Sequence, residues 1–147
     1  MTTSLFLDDL HPGQRFVSAP HTIDAEQIRA FAREFDPQPF HLDDRAARDT
    51  VFGGLVASGW HTAAVTMRLL VDGGAPIAGG IVGVGGEISW VLPVRPGDTL
   101  TVDTHVVEVT PSRSRPDRGL VTLRSETRNQ DGTIVFVFVS KLIVPKR

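Results

Sequence analysis

A carboxylate and an imidazole stand five residues apart in the segment 35–41, which reads Phe-Asp-Pro-Gln-Pro-Phe-His. A proline fixes its own φ at about −65° and biases the residue before it away from the helical region. Asp36 and Gln38 each precede a proline, so the segment is predicted to be extended or turned. A stiff segment can hold Asp36 and His41 in one fixed relation, as an acid and a base that act together require.

The second candidate is a glycine-containing stretch over 52–61, Phe-Gly-Gly-Leu-Val-Ala-Ser-Gly-Trp-His. It reads as a turn that leads into a helix, with Ser58 as the N-cap residue. Backbone N–H groups at a helix start have no partner inside the helix and can bind a negative oxygen. The Gly59 N–H is the candidate donor. A pair that can activate water, followed by a site for an oxyanion, indicates chemistry beside a carbonyl group.

Three helices are predicted around these residues. The first covers about 23–34, where apolar residues recur at the spacing of one helical face, and Thr22 or Asp24 can cap it. A short second helix, which Asp43 or Asp44 can cap, runs to Arg48. The third covers about 58–71 and carries apolar residues on most of its sides, which is typical of a buried helix.

The rest of the chain is predicted to form β-strands. Apolar patterning and turn residues set their boundaries, and the tetrapeptide 129–132, Asn-Gln-Asp-Gly, is a hairpin turn signal. A curved antiparallel sheet wrapped around the third helix covers the apolar surface of both. The predicted fold is therefore α+β, in one domain over 1–147. Predicted strands cover about 14–18, 81–92, 100–110, 120–128 and 133–144.

Composition narrows the functional classes. The 147 residues are 41% hydrophobic and 22% charged, as expected for a globular domain with a packed core. The formal net charge of −2 gives no reason to expect nucleic acid or a membrane surface as a partner. No apolar run approaches the roughly 18 residues of a membrane helix, and the N-terminus does not read as a secretory signal. The lack of cysteine excludes disulfides and thiolate chemistry and fits a cytoplasmic protein.

Four stretches resemble the MaoC-like dehydratase family of the hot-dog fold: FDPQPFHLDDRAA, FGGLVASGWHTAA, PVRPGDTL and SRSRPDRG. The resemblance covers about 10–145 and is to the (R)-specific enoyl-CoA hydratases in particular. The family's hydratase motif follows the pattern D-x-x-P-x-H, and Asp36, Pro39 and His41 occupy its three fixed positions.

The resemblance implies a fold and an activity. The fold would be a hot-dog sheet around a central helix, paired edge to edge in a homodimer or a multiple of that dimer, with sites near the interface. The activity would be addition of water to a 2-enoyl-CoA to give a 3-hydroxyacyl-CoA, or the reverse dehydration. Asp36 and His41 would hold the water, and the Gly59 N–H would polarise the thioester carbonyl. No cofactor is implied, because coenzyme A enters as part of the substrate.

Two positions depart from the family's usual sequence. Characterised hydratases usually carry His-Gly at the start of the central helix, whereas this chain has Ser58-Gly59, so a hydroxyl stands beside the candidate oxyanion and substrate-binding group. Some hydratases place a serine further along the helix, where this chain has Met67. Trp60 and Met67 would narrow the pocket if they line it, which favours short or branched acyl groups.

Each candidate residue also has a purely structural interpretation. Asp36 could cap a turn, because aspartate before proline is common in turns, and His41 could be a packed histidine bonded to backbone. His61 is predicted to be buried and hydrogen-bonded. A metal site from Asp36, His41 and Asp43 is disfavoured because no tight ligand spacing accompanies them, and we expect no metal.

The polar loop around Arg113, Arg115 and Arg118 could pair with the phosphates of coenzyme A. A solvated loop with scattered charges is the alternative. Two other functions stay open for the whole chain. A non-catalytic acyl-CoA-binding subunit is disfavoured because the acid–base pair is retained. A hot-dog thioesterase is disfavoured because the stretch 59–71 contains no aspartate or glutamate.

Overall fold

The computed structural model describes residues 4–147, and its main feature is an antiparallel β-sheet. The strands are β1 Arg15–Val17, β2 His21–Thr22, β3 Val82–Trp90, β4 Thr99–Pro111, β5 Arg118–Arg128 and β6 Ile134–Pro145. Their order in the sheet is β1-β4-β5-β6-β3, and β2 pairs with the start of β4. All five predicted strands are present, whereas the two-residue strand β2 was not predicted.

Helices occupy the first half of the chain, and three of the four α-helices among residues 4–147 start at a side-chain cap. Asp24 accepts a hydrogen bond from the Gln27 N–H, Asp43 accepts one from the Arg45 N–H, and Ser58 caps the longest buried helix. No helix within residues 4–147 is long and apolar enough to cross a membrane. The α-helices are α1 Ala25–Phe35, α2 Pro39–Leu42, α3 Asp44–Arg48 and α4 Gly59–Leu69, which continues into a π-helical turn, Leu70–Gly74; a 3-10 turn spans Leu7–Asp9.

Helix α2 corrects one prediction. The segment after Asp36 was predicted to be extended or turned throughout, but it is extended only through Gln38 and then forms a single helical turn that includes His41. Pro39 occupies the first turn of α2, where its missing N–H costs no hydrogen bond and its fixed φ suits the helix. Proline therefore starts the turn that carries the imidazole.

Helix α4 packs on the inner face of the sheet. Its residues Val65 and Leu69 join a buried cluster with Leu100 and Val102 of β4 and Leu123 of β5. Alternate residues of β4 and β5 are buried, as expected for strands with one covered face. A hydroxyl–hydroxyl contact of 2.6 Å between Thr66 Oγ1 and Thr127 Oγ1 adds a polar link between the helix and the sheet.

Strand β3 is an edge of the sheet and is poorly covered. It pairs with β6 on one side only within the described part of the chain, and eight of its nine residues are exposed. Val82 and Val84 are about half exposed, at 51% and 53%. Such an edge offers free backbone hydrogen-bonding groups together with apolar side chains.

Candidate active site

Asp36 lies directly after helix α1, as its C-cap residue, with its side chain turned toward the start of α4. Its two oxygens accept different donors: Oδ2 accepts from Ser58 Oγ at 2.7 Å, and Oδ1 accepts from Gln38 Nε2 at 2.7 Å. Partial burial alone would raise the pKa of Asp36, but these two hydrogen bonds and the nearby His41 lower it below the usual value. The group is therefore a carboxylate at neutral pH.

His41 is held from both sides of its ring. Its Nδ1 lies 2.8 Å from the Val56 carbonyl oxygen, and its Nε2 lies 3.3 Å from Asp36 Oδ2. A carbonyl can only accept, so we assign the Nδ1 proton to this bond, and Nε2 is the ring nitrogen that faces Asp36. The side chain is only 6% exposed, so the ring orientation is fixed by packing as well as by hydrogen bonding.

The first turn of α4 leaves one amide free. The Trp60 N–H donates to Ser58 Oγ, and the N–H groups of His61 and Thr62 donate to the Ser58 carbonyl oxygen. The Gly59 N–H has no hydrogen-bond partner among residues 4–147. It stands at the positive end of the helix dipole, where a developing negative charge is stabilised.

Asp36, His41 and Gly59 all line one cavity of about 360 Å³. The remaining walls are mostly apolar, as in small-molecule sites where a few polar groups set the orientation of the ligand. They are formed by Gln38, Phe40, Phe52, Val56, Ala57, Trp60, Thr62, Trp90, Val91, Leu92, Pro93 and Val94.

Two tryptophans form the wall next to Gly59. A Cβ atom at Gly59 would lie 2.5 Å from Trp90 Nε1, so the indole of Trp90 packs directly on this glycine. Trp60 meets Trp90 edge to face, with ring centroids 5.2 Å apart. One side of this glycine is therefore occupied by an aromatic ring.

Two predicted contacts do not reach the cavity. Met67 lies on α4 eight residues after Gly59, about 12 Å along the helix axis, and within residues 4–147 it is not part of the cavity lining. The arginine loop lies at the other end of the sheet: Arg118 pairs with Pro145, whereas Thr127, nine residues along β5, lies on the cavity side. At about 3.3 Å per residue this separation is about 30 Å.

His61 differs in part from its prediction. It is buried, at 7% exposure, and its ring stacks on Phe31 with centroids 4.7 Å apart. Its Nδ1 has no hydrogen-bond partner among residues 4–147, although a bonded ring was predicted. Burial, together with the charges of His21 and His41, lowers the pKa of His61 to about 4, so the ring is neutral at physiological pH.

Some functional contacts could not be identified from sequence. No sequence motif marks the Val56 carbonyl that orients His41 or the Gln38 amide that binds Asp36. No signal in the sequence linked Trp90 to Gly59. Asp43, considered as a metal ligand, caps α3 instead by accepting from the Arg45 N–H. Among residues 4–147 we find no group of three or more histidine or acidic side chains placed to hold a metal ion.

The architecture and the site together define the class of protein: a hot-dog domain that presents an aspartate–histidine pair beside the start of its central helix. A family model described as a MaoC like domain matches residues 9–129. The chain therefore belongs to the MaoC-like family, and the predicted family and fold are confirmed.

Named relatives agree with this assignment. The crystal structure of a MaoC-like dehydratase from Rhodospirillum rubrum superposes with a TM-score of 0.96 at 59% identity, covering 98% of this chain and 99% of that one. The (R)-specific enoyl-CoA hydratase of Rhodospirillum rubrum is 29% identical over 97% of this chain and 93% of its own length. An unliganded R-hydratase from Pseudomonas aeruginosa superposes with a TM-score of 0.78 at 25% identity, covering 98% and 88% of the two chains. These relatives support a hydratase or dehydratase.

Proposed function

We propose that this protein adds water to 2-enoyl-CoA thioesters, or removes it from 3-hydroxyacyl-CoA thioesters. One observation carries the proposal. Asp36 Oδ2 and His41 Nε2 lie 3.3 Å apart, and both residues line a mostly apolar cavity together with Gly59, whose N–H is free among residues 4–147. A base, an acid and an oxyanion donor on one small cavity are the three groups that hydration of a conjugated carbonyl requires.

The hydrogen bonds of the pair suggest the role of each residue. Asp36 is kept ionised, so we propose that it takes a proton from water as the water oxygen bonds to C3. The His41 Nε2–H then delivers a proton to C2, and the π electrons of the C2–C3 bond form that C–H bond. Negative charge rises on the thioester oxygen during attack, and the Gly59 N–H stabilises it. A proton moving from Asp36 to His41 across their contact restores the starting state.

The cavity supports a short or branched acyl group. Its volume of about 360 Å³ lies near the lower end of the range typical for small-molecule sites. Trp60 and Trp90 line the side of the cavity next to Gly59, where their rigid indole rings limit the space for an acyl chain. Trp60 and Trp90 therefore narrow the cavity, rather than Trp60 and Met67 as the sequence predicted.

We also propose that the reaction needs no cofactor and that the protein is cytoplasmic.

A homodimer would complete the site. Strand β3 is an exposed edge, and proteins pair or cover such edges. Antiparallel pairing of two β3 strands places the Val82 end of one copy beside the Trp90 end of the other. The arginine loop lies at the Val82 end, because Val82 pairs with Ile143 and Ile143 with Leu120. We propose that Arg113 and its neighbours Arg115 and Arg118 meet the phosphates of coenzyme A from the second copy.

The test is loss of the enoyl-thioester absorbance with crotonyl-CoA and with longer and branched enoyl-CoAs. Wild type is expected to turn over the short substrates best. Asp36→Asn and His41→Ala are each expected to lower kcat by roughly 100-fold or more, because each removes one proton-transfer group. Asp43→Asn is the matched control, since asparagine keeps the α3 cap and position 43 lies outside the cavity lining.

The outcomes separate the candidate functions. Normal activity in both Asp36→Asn and His41→Ala would refute the proposed mechanism. Tight binding of acyl-CoA with no turnover of any substrate would instead indicate the non-catalytic binding subunit. Release of free coenzyme A, detected with a thiol reagent, would indicate a thioesterase, and the protein's own lack of cysteine keeps that assay free of background.

A further inference from the structure

The Ser58 hydroxyl makes two hydrogen bonds, one as a donor and one as an acceptor. It is fully buried, at 0% exposure, at the junction between the loop that follows α3 and helix α4. Its Oγ lies 2.7 Å from Asp36 Oδ2 and 3.2 Å from the Trp60 nitrogen. The residue was predicted only as an N-cap and a candidate substrate-binding group. Within residues 4–147 it is not part of the cavity lining.

The direction of both bonds follows from the chemistry of the partners. A serine hydroxyl has one hydrogen to donate and lone pairs to accept with. The Trp60 N–H can only donate, so the hydroxyl oxygen accepts from it. The carboxylate of Asp36 can only accept, so the single hydroxyl hydrogen points to Oδ2. The two contacts fix the hydroxyl rotor and leave it no competing acceptor.

We propose that Ser58 is a positioning residue for the acid–base pair, which couples the Asp36 carboxylate to the first turn of α4. This inference rests on the proposed function. Ser58 does not line the cavity, and it acts on the reaction only through its hydrogen bond to the Asp36 carboxylate. The same turn of α4 carries the free Gly59 amide, so a single helix end would set the position of both the base and the oxyanion donor.

The particular oxygen that Ser58 holds explains why its loss should matter. Oδ2 is also the atom that faces His41 Nε2, at 3.3 Å. The other oxygen, Oδ1, accepts a hydrogen bond from Gln38. Because the Gln38 side chain is exposed, water can compete for this hydrogen bond. Without Ser58, the carboxylate can rotate away from His41 while its outer hydrogen bond remains. The bond from Ser58 also favours the charged form of Asp36.

The test combines kinetics with a titration that does not depend on turnover. Ser58→Ala removes the donor, and Ser58→Cys keeps the side-chain volume but offers only a weak S–H donor. Both are expected to lower kcat about 10- to 100-fold, as loss of a hydrogen bond to a charged group predicts, with little change in KM. Because loss of the Ser58 hydrogen bond raises the pKa of Asp36, the acid limb of the kcat–pH profile should move to higher pH. For the same reason, the Asp36 carboxyl signal in ¹³C NMR, assigned with Asp36→Asn, should titrate at higher pH than in the wild type.

The matched control is Ser18→Ala. Ser18 is a buried serine whose Oγ accepts from the Val102 N–H at 2.8 Å and which makes no contact with Asp36. The Ser18→Ala variant should lower the free energy of unfolding without moving the acid limb of the kcat–pH profile or the Asp36 titration seen by NMR. An unchanged kcat in both Ser58 variants, or an Asp36 titration identical to wild type, would overturn the positioning role. If wild type turns over no enoyl-CoA, the proposed reaction fails, but the NMR titration still decides whether Ser58 holds Asp36.

Discussion

Gly59→Ala tests the packing around the site most directly. The added Cβ would lie 2.5 Å from Trp90 Nε1, 2.7 Å from Cε2 and 3.0 Å from Cδ1, where ordinary contacts begin at 3.4 Å. The indole therefore has to retreat by about 1 Å. It is held by its edge-to-face contact with Trp60 and by the ring of Phe136, which is only 1% exposed. The buried Phe136 ring blocks one direction of movement, whereas Trp60 and Trp90 are 59% and 46% exposed, so the indole can yield in part toward the solvent.

Two opposing effects set the magnitude. Overpacking a well-filled site costs about 1–3 kcal/mol. Replacing glycine by alanine in a helix returns at most about 1 kcal/mol. We therefore expect Gly59→Ala to lower the free energy of unfolding by about 1–2 kcal/mol. Activity should fall by up to roughly 100-fold in kcat/KM, because strain that the indole does not absorb displaces the Gly59 N–H, and a displacement of about 1 Å at a reacting group has an effect of that order.

Urea denaturation and the crotonyl-CoA assay measure the two effects. Gly54→Ala is the control, since its nearest neighbours would lie at 3.6 Å and its stability should change by less than about 0.5 kcal/mol. In a double-mutant cycle, Trp90→Phe should recover part of the loss caused by Gly59→Ala, with a coupling energy of about 1 kcal/mol or more. Wild-type stability in Gly59→Ala, or strictly additive effects in the cycle, would refute the close packing of Trp90 on Gly59.

Two further predictions concern pH and coenzyme A. The pKa of His61 falls from its usual 6.5 to about 4 on folding. The neutral ring is therefore fully compatible with the folded state above pH 6.5, and the free energy of unfolding decreases as the pH falls from 6.5 toward 4. The loss amounts to about 3 kcal/mol, and His61→Phe, which can still stack on Phe31, should remove that part of the pH dependence in urea titrations; an unchanged slope would contradict it. Arg113→Ala combined with Arg115→Ala should raise KM for acyl-CoA roughly tenfold at low salt and less at high salt, whereas exposed Arg33→Ala should not. An unchanged KM would remove the loop from the site.

The local part of the site could be predicted from sequence, because short spacings survive folding. Asp36 and His41 are five residues apart, and two prolines limit the paths between them. Ser58 was expected to cap α4 and does so. The same holds for the strands, whose alternation and turn residues are local signals. Within the site, the helical turn that carries His41 was missed, because proline was taken to oppose a helix when at the first position it starts one.

The long-range part could not be predicted, because it depends on how elements meet. Trp90 reaches Gly59 from a strand that begins more than twenty residues after that glycine. Met67 was placed in the pocket by counting along a helix, without knowing which side of α4 faces the cavity. The arginine loop was linked to coenzyme A by its charge, but the register of β5 puts it about 30 Å away in its own chain. Charge and spacing alone carry no information on sheet register.

The start of α4 explains how a small cavity can hold three reactive groups with few polar side chains. The three consecutive residues from Ser58 each use a different group: the Ser58 hydroxyl donates to Asp36, the Gly59 N–H stays free, and the Trp60 N–H donates back to Ser58. The Trp60 amide thereby fixes the rotor that holds the base, while its side chain helps form the wall. Because the same backbone turn sets all of these positions, a change at one residue should alter the geometry of the others. Effects of Ser58 and Gly59 substitutions should accordingly be non-additive in kcat, as expected for groups that act as a unit.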